Sequence, residues 1–336
     1  MKYYIIFTFI IISSFIYYKF SHKKSRFWIN QPVFSNKEGQ ITLDPLQYDP
    51  NLLELINDET FKTVNKDTWL DFYDLLNNHY FDHLKYTSDY LKKQLDHSTA
   101  WILYKNIAPI GTITSHPVTI QIHNRSHKFN YVDHLLVKKG ERGRSTATIL
   151  ISKIIESGTL AGIPRFIFKI EDNELPIPHF CKLTNYYGIK PKNIVGEKYE
   201  IKNLVSKQLY NFYNKYNSKY LIYLKFDNYS EFENYITKYK VKYILQGNSL
   251  KGMILYVESM YKGEKVAEIV TIFGDLIDML IGDIDESIKW ITMNDMASNM
   301  RWIRKFNLKE ANITYLYFYN YFLNKFYAEE ISIGIS

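Results

Sequence analysis

The clearest change of hydrophobic rhythm lies between Tyr131 and Glu156, where an apolar run gives way to a basic, glycine-containing turn and then to apolar positions at helical spacing. This predicts a buried strand ending at Val137, a turn over residues 138–144, and a helix with Ile149, Leu150, Ile151, Ile154 and Ile155 on one face, which Ser145 or Thr146 can cap. Upstream, Asp67-Thr68-Trp69-Leu70 opens a helix carrying Leu70, Tyr73, Leu76 and His79-Tyr80 on one side, and Leu84 to Leu95 reads as a second helix. Strands follow over Ala100 to Leu103, Ile110 to Ser115, Val118 to Ile122 and Lys128 to Val137, with a hairpin turn at Asn124-Arg125-Ser126. Residues 34–64 read as a wrapping segment with one short helix near Leu52 to Ile56. Gly158 and Gly162 close the central helix, and Phe166 to Phe168 starts the next strand. Beyond residue 200 the pattern predicts strands over Tyr220 to Phe226, Lys242 to Leu245 and Met253 to Glu258. Helices are expected over Phe273 to Ile281 and Asp285 to Met300, with Asp275 or Asp283 as starts.

With 336 residues, 46% of them apolar, the chain can build one large domain or two ordinary ones. Its net charge of +7 is spread along the whole length, without a zinc knuckle, basic helix or aromatic RNA-binding signature, so no nucleic acid is expected. Cys181 is the only cysteine, which excludes an internal disulfide and a multi-cysteine metal site and fits a reducing compartment.

Tyr3 to Tyr18 is an uncharged run at the short edge of what spans a bilayer. The rival reading is a cleaved signal peptide, but no small-residue cleavage site precedes Lys19, and the flanking tyrosines and Phe20 suit interfacial anchors. Lys19, Lys23, Lys24 and Arg26 follow the run and only Lys2 precedes it. The expectation is therefore a single-pass anchor over residues 1–20, membrane contact through 3–18, and the rest of the chain facing the cytosol.

The turn over 138–144 sets Lys138, Lys139, Arg142 and Arg144 around a helix N-terminus, where unpaired N–H groups and the dipole favour an anion. It matches neither GxxxxGK[ST] nor GxGxxG, so a phosphate site and an ordinary solvated basic turn both remain open. His79 and His83 are four apart but have no adjacent glutamate and no third ligand nearby, so no metal is expected.

Several of these residues resemble one family. Arg142, Gly143, Arg144, Ser145, Thr146 and Ala147, following His134-Leu135-Leu136-Val137, resemble the pyrophosphate loop of GNAT acyltransferases and the FLCV…RSKR.A segment of protein N-myristoyltransferases. Phe27-Trp28-Ile29-Asn30-Gln31-Pro32-Val33 resembles the FWxTQPV that opens that domain, GTITSHPVTIQI resembles GFISAIPxxIxI, and Leu175-Pro176-Ile177-Pro178 resembles LPKP. CKLTNYYGIKPKN, from Cys181, is similar to CRYWHRSLNPRK. Tyr317-Phe318-Tyr319-Asn320-Tyr321 resembles YLYNW, and Ile331 to Ser336 resembles the terminal VGLVL strand.

The resemblance implies an α+β fold of two tandem GNAT-like halves, each a mixed sheet flanked by helices: 27–199 binding acyl-CoA and 200–336 binding peptide. It implies transfer of a tetradecanoyl group from tetradecanoyl-CoA to the N-terminal glycine of a protein, by a monomer without a permanently bound cofactor. Phe27, Trp28, Leu136, Val137 and the 142–147 loop would hold CoA. The N–H groups of His134 and Leu135 would stabilise the oxyanion, and the Ser336 carboxylate would be the base. Three features depart from the family: Phe168-Lys169-Ile170-Glu171 replaces a threonine-bearing segment at the glycine amine, Asn185 replaces a histidine, and the acidic loop is reduced to Asp82. These leave two alternatives, an acyl-CoA N-acyltransferase of other specificity or an inactive membrane-bound homologue that binds lipid or peptide.

Overall fold

A computed structural model describes residues 31, 33, 35, 37–41, 59–79, 84–143, 145–192, 199–203 and 205–334. The expected anchor, Phe27, Trp28, the short helix near Leu52, Asp82, His83, Arg144 and Ser336 lie outside them. Among the described residues no helix is long and apolar enough to cross a membrane.

The strands are β1 (Glu59–Thr63), β2 (Leu84–Tyr86), β3 (Thr99–Lys105), β4 (Ala108–Ile122), β5 (Arg125–Val137), β6 (Phe166–Glu171), β7 (His179–Ile189) and β8 (Glu200–Lys202). In the second half come β9 (Ile222–Leu224), β10 (Lys240–Gln246), β11 (Ser249–Tyr261), β12 (Glu264–Gly274), β13 (Trp290–Asn294), β14 (Lys309–Tyr319) and β15 (Ile331–Ser332). The helices are α1 (Trp69–His79), α2 (Ser88–Leu95), α3 (Thr146–Leu160), α4 (Lys207–Asn217), α5 (Tyr229–Ile236), α6 (Ile277–Gly282) and α7 (Asn299–Lys305).

Twelve strands form one mixed path, β1-β3-β4-β5-β6-β14-β7-β13-β12-β11-β10-β8. Its two halves repeat a plan. Strands β3, β4 and β5 form an antiparallel meander, α3 crosses over, and β6 returns parallel to β5; β10, β11, β12, α6 and β13 do the same. The last strand of each half then crosses to the other: β14 pairs with β6, and β7 pairs with β13. Each half completes its partner's sheet, so the sheet runs unbroken past residue 200. Because β14 and β7 also pair with each other, they form the seam.

Core packing reinforces this exchange. One apolar cluster joins Phe72 and Leu76 of α1 to Tyr213 of α4, Phe232 of α5 and Phe273 of β12, all at most 1% exposed. Burying such a side chain stabilises the fold by roughly 1.5–3 kcal/mol, so this shared cluster ties the two halves together. On the other face of the first half, Ile149, Leu150, Ile154 and Ile155 of α3 pack on Phe166 and Ile113 as the helical spacing predicts. Gly158 makes that approach close: a Cβ there would lie 2.5 Å from Phe166 Cζ and 2.7 Å from Asn130 Nδ2. The helix continues through it, and Gly162 follows the helix end with φ +74°.

Tertiary pairing corrects several local expectations. Leu84 to Leu95 is not one helix, because Thr87 caps α2 by accepting Tyr90 N–H at 3.2 Å, while the residues before it join β11 as β2. The hairpin turns one residue earlier, at His123-Asn124, with Ile122 opposite Arg125. Phe273 belongs to β12, and the chain turns through Gly274 and Leu276, both at positive φ, before α6. Asp283 follows that helix at its C-cap rather than starting another. Asp285 to Met300 contains β13, held between β12 and β7, and only the start of α7. The long-range ladder outweighs weak helix propensity there. Among the described residues after the 3₁₀ turn Ala328–Glu330, Ile331 and Ser332 form a strand parallel to β9, and Ser332 and Gly334 are buried along with Ile331 and Ile333.

Candidate active site

The site begins at a bulge. Thr112 faces Leu136 across the β4–β5 ladder and Thr114 faces Asp133, so Ile113 alone opposes both His134 and Leu135. His134 takes a left-handed conformation, φ 51°, which aims its backbone out of the ladder. Its N–H donates to Asp133 Oδ1 at 2.8 Å. Its ring is buried, with Nδ1 3.0 Å from Thr114 Oγ1 and the edges of Phe72 and Tyr86 each 6.2 Å away between centroids. Burial holds the imidazole below its ordinary pKa, although Asp133 opposes this. Burial also raises Asp133, but the charges of His134 and Lys169 and the His134 N–H outweigh it and keep the carboxyl below its usual range.

Where β5 ends, the chain enters the basic turn. A short 3₁₀ turn, Lys139–Glu141, precedes Gly143 at φ +82° and Ser145 at φ +66°. Ser145 occupies the N-cap of α3 but its side chain does not cap; Thr146, expected as the alternative cap, instead donates from Oγ1 to Glu141 O at 3.1 Å. Arg142 Nε donates to Val137 O at 3.1 Å, and Lys105 pairs with Glu141 at 3.4 Å. The loop is thereby braced with the exposed residues 142, 143 and 145 and the first turn of α3 on its outer side, where helix N–H groups lack intrahelical acceptors. Leu136 and Val137 are core side chains, 4% and 8% exposed. Among the described residues no group of three His, Cys, Asp or Glu side chains suits a metal ion.

A cavity of about 1030 Å³ opens beside the bulge, between the two halves of the sheet. Its floor is the seam. Asn185 of β7 donates to Asn312 Oδ1 at 2.9 Å and Thr314 Oγ1 at 2.7 Å on β14, and Asn312 donates to Glu171 of β6 at 3.4 Å. Asp133, Lys169 and Glu171 line it from the first half, and Glu268, Ser259 and Trp290 from the second. Glu268 stands raised above the usual carboxyl range, first by burial, then by Glu171 and Asp133; Ser259 and Lys169 oppose the shift.

The end of the chain reaches the same cavity, with Ile333 in its wall. Ile333 N–H donates to Met296 Sδ at 3.0 Å, and the Tyr235 hydroxyl donates to the Gly334 carbonyl. Burial raises the Tyr235 phenol far above its ordinary pKa, so it remains a donor.

The cavity thus brings Asp133, the residue before the bulge, together with Ile333 of the segment preceding Ser336, while His134 and Leu135 are not in its wall and the loop over 142–147 lies at the start of α3. Asp133, Glu268 and Ser259 escaped the sequence reading. Glu268 left a faint signal, as the lone charge in the otherwise apolar stretch from Val266 to Phe273 apart from Thr271.

Residues 66–183 match the acetyltransferase (GNAT) family. The chain is similar in fold to a crystal structure of Saccharomyces cerevisiae N-myristoyltransferase with bound myristoyl-CoA: 14% identity, TM-score 0.77, covering 93% of this chain and 94% of the other. A second structure of the yeast enzyme with bound myristoyl-CoA gives 13% identity and a TM-score of 0.79 over 91% and 90% of the two chains. A probable N-acyltransferase of Enterococcus faecalis V583 gives 10% identity and a TM-score of 0.50 over 77% and 72%. No curated protein matches by sequence.

Proposed function

We propose that the chain is an acyl-CoA N-acyltransferase that transfers a tetradecanoyl group from tetradecanoyl-CoA to the N-terminal glycine of a protein. One observation carries the reading: a fold match over 93% of the chain to an enzyme holding myristoyl-CoA. The bulge at His134-Leu135 and the braced loop before α3 lie on the half that matches the GNAT family.

Acyl transfer from a thioester to an amine needs a neutral amine, a stabilised oxyanion and departure of the thiol. The loop over 142–147 would receive the pyrophosphate of CoA on the N–H groups of Ser145, Thr146 and Ala147, with the Arg142 and Arg144 side chains offsetting its charge. Phe27 and Trp28 would add backbone contacts to CoA. The N–H groups of His134 and Leu135 would face the thioester oxygen, each such donor being worth about 3 kcal/mol in the transition state. The Ser336 carboxylate would take the amine's proton. With an ordinary pKa of about 3.5 it is a weak base in water, so burial and contact with the ammonium must raise its effectiveness. The anchoring of Gly334 by Tyr235 beside the cavity supports that role. Residues 3–18 would hold the enzyme at a membrane with its site in the cytosol.

A second reading, a lipid- or peptide-binding protein without turnover, is favoured by the engagement of His134 N–H with Asp133. Incubation of the full chain in detergent with labelled tetradecanoyl-CoA and Gly-starting peptides separates the two. Transfer that disappears when two alanines are appended after Ser336, with acyl-CoA binding kept, supports the enzyme and its base. Acyl-CoA binding without transfer supports the second reading.

A further inference from the structure

The cavity contains a charge arrangement that the transfer mechanism above leaves unused. Glu268 on β12 faces the space shared with Asp133 on β5 and with Lys169 and Glu171 on β6. Three carboxylates surround one lysine, so the group carries more negative than positive charge in a setting where burial penalises charge. Beside Glu268, Ser259 is 2% exposed and lines the cavity, and its hydroxyl lies against the Glu268 carboxyl with no other partner among the described residues. A serine hydroxyl that donates to a carboxylate keeps its acceptor lone pairs free, so a ligand N–H can be received there.

The position fits the reaction centre. Ser259 pairs across the β11–β2 ladder with Tyr86, and the Tyr86 ring meets the His134 ring edge-on at 6.2 Å between centroids. β2, like β7, is a piece of the first half that adds to the second half's sheet, so Tyr86, which touches the bulge residue, shares one cavity wall with Ser259 and Glu268. We infer that Glu268 and Ser259 form a subsite for the primary ammonium of the acyl acceptor, the carboxylate matching its charge and the hydroxyl accepting one of its N–H groups. This rests on the acyl-transfer reading and names a side-chain receptor for the amine, separate from the terminal carboxylate that would deprotonate it. An α-amine and a lysine ε-amine share this chemistry.

Three neutral octapeptide backbones test it by equilibrium binding to the full chain: one with a free N-terminal glycine, one N-acetylated, and one N-acetylated with a single lysine at its second position. The wild type should bind at least one amine-bearing peptide about tenfold or more tightly than the N-acetyl peptide without lysine. In Glu268→Gln that preference should collapse to within about twofold. Ser259→Ala should weaken the amine-bearing peptide several-fold while leaving binding of the N-acetyl peptide without lysine unchanged. Preference kept in both variants overturns the subsite, as does a wild type that does not discriminate. Tetradecanoyl-CoA binding measured on the same samples separates the two proposals. Acyl-CoA binding with amine preference indifferent to Glu268 removes the subsite alone; a Glu268-dependent preference without acyl-CoA binding removes the acyl-transfer reading alone.

Discussion

The backbone N–H of His134 donates to the carboxylate of Asp133, its own neighbour, at 2.8 Å, which pins a left-handed residue inside an otherwise regular strand. Histidine tolerates that conformation better than a β-branched residue does. His134→Asn should therefore keep the bulge. His134→Val should lose about 1–2 kcal/mol from the backbone alone, while the Thr114 hydroxyl keeps the Asp133 carbonyl as its acceptor at 3.1 Å. Urea denaturation of the two variants measures the difference; equal stability would mean that the bulge does not require φ near 51°.

Gly334 sits where a Cβ would collide with the Thr271 side chain and come 3.1 Å from the Tyr235 hydroxyl. Gly334→Ala should displace the last residues without unfolding the protein. A displacement of about 1 Å at a reacting group lowers turnover roughly 100-fold. Thr271→Ala in the same chain removes the Oγ1 and should restore a large part of the activity. Steady-state transfer rates of the single and double variants decide it, and no rescue would point away from steric displacement.

The histidine contribution to stability should fall as pH drops below about 6.5. Glu268 opposes this, because its raised carboxyl takes up its proton earlier in the folded chain than in the unfolded one. His116 is lowered to about 3, by burial first and then by Lys238, and burial lowers His134 as well. The unfolded chain takes up protons on these rings near pH 6.5 and the native one does not, so each costs about 1.4 kcal/mol per pH unit until its folded pKa is reached. Asp133 acts in the other direction: its depressed pKa adds stability above about pH 3.9 that is lost only in stronger acid, so it does not offset the loss at pH 5. At pH 5 His116 alone should account for about 2 kcal/mol. Denaturation at pH 7.5 and 5.0, repeated with His116→Gln, should show the smaller pH dependence in the variant.

Cys181, 1% exposed on β7 and pushed up to about 12 chiefly by burial, should be inert to thiol reagents at pH 8 in the native protein. It should react once the seam opens. The labelling rate in low denaturant then reports opening of β7 from β14, and rapid labelling without denaturant would contradict the packing described.

The sequence by itself determined the elements whose hydrophobic period is strong and local. The α3 stripe, the antiparallel meander through β5, and α1 follow from side-chain spacing alone, because a face of clustered isoleucines must be buried whatever surrounds it. Glycine and basic residues likewise marked the turn before α3. The second half resisted reading: β12, β13 and β14 carry mixed or weakly periodic residues whose extended form is set by ladders to strands far away in sequence. The exchange of β7 and β14 between the halves leaves no local trace, since a strand's pattern records which face is buried and not which neighbour it pairs with. The same holds for the site. Glu268 and Asp133 are separated by 135 positions in the chain, and only the curvature of a shared sheet brings their charges into one cavity, where burial gives them properties that neither sequence neighbourhood contains.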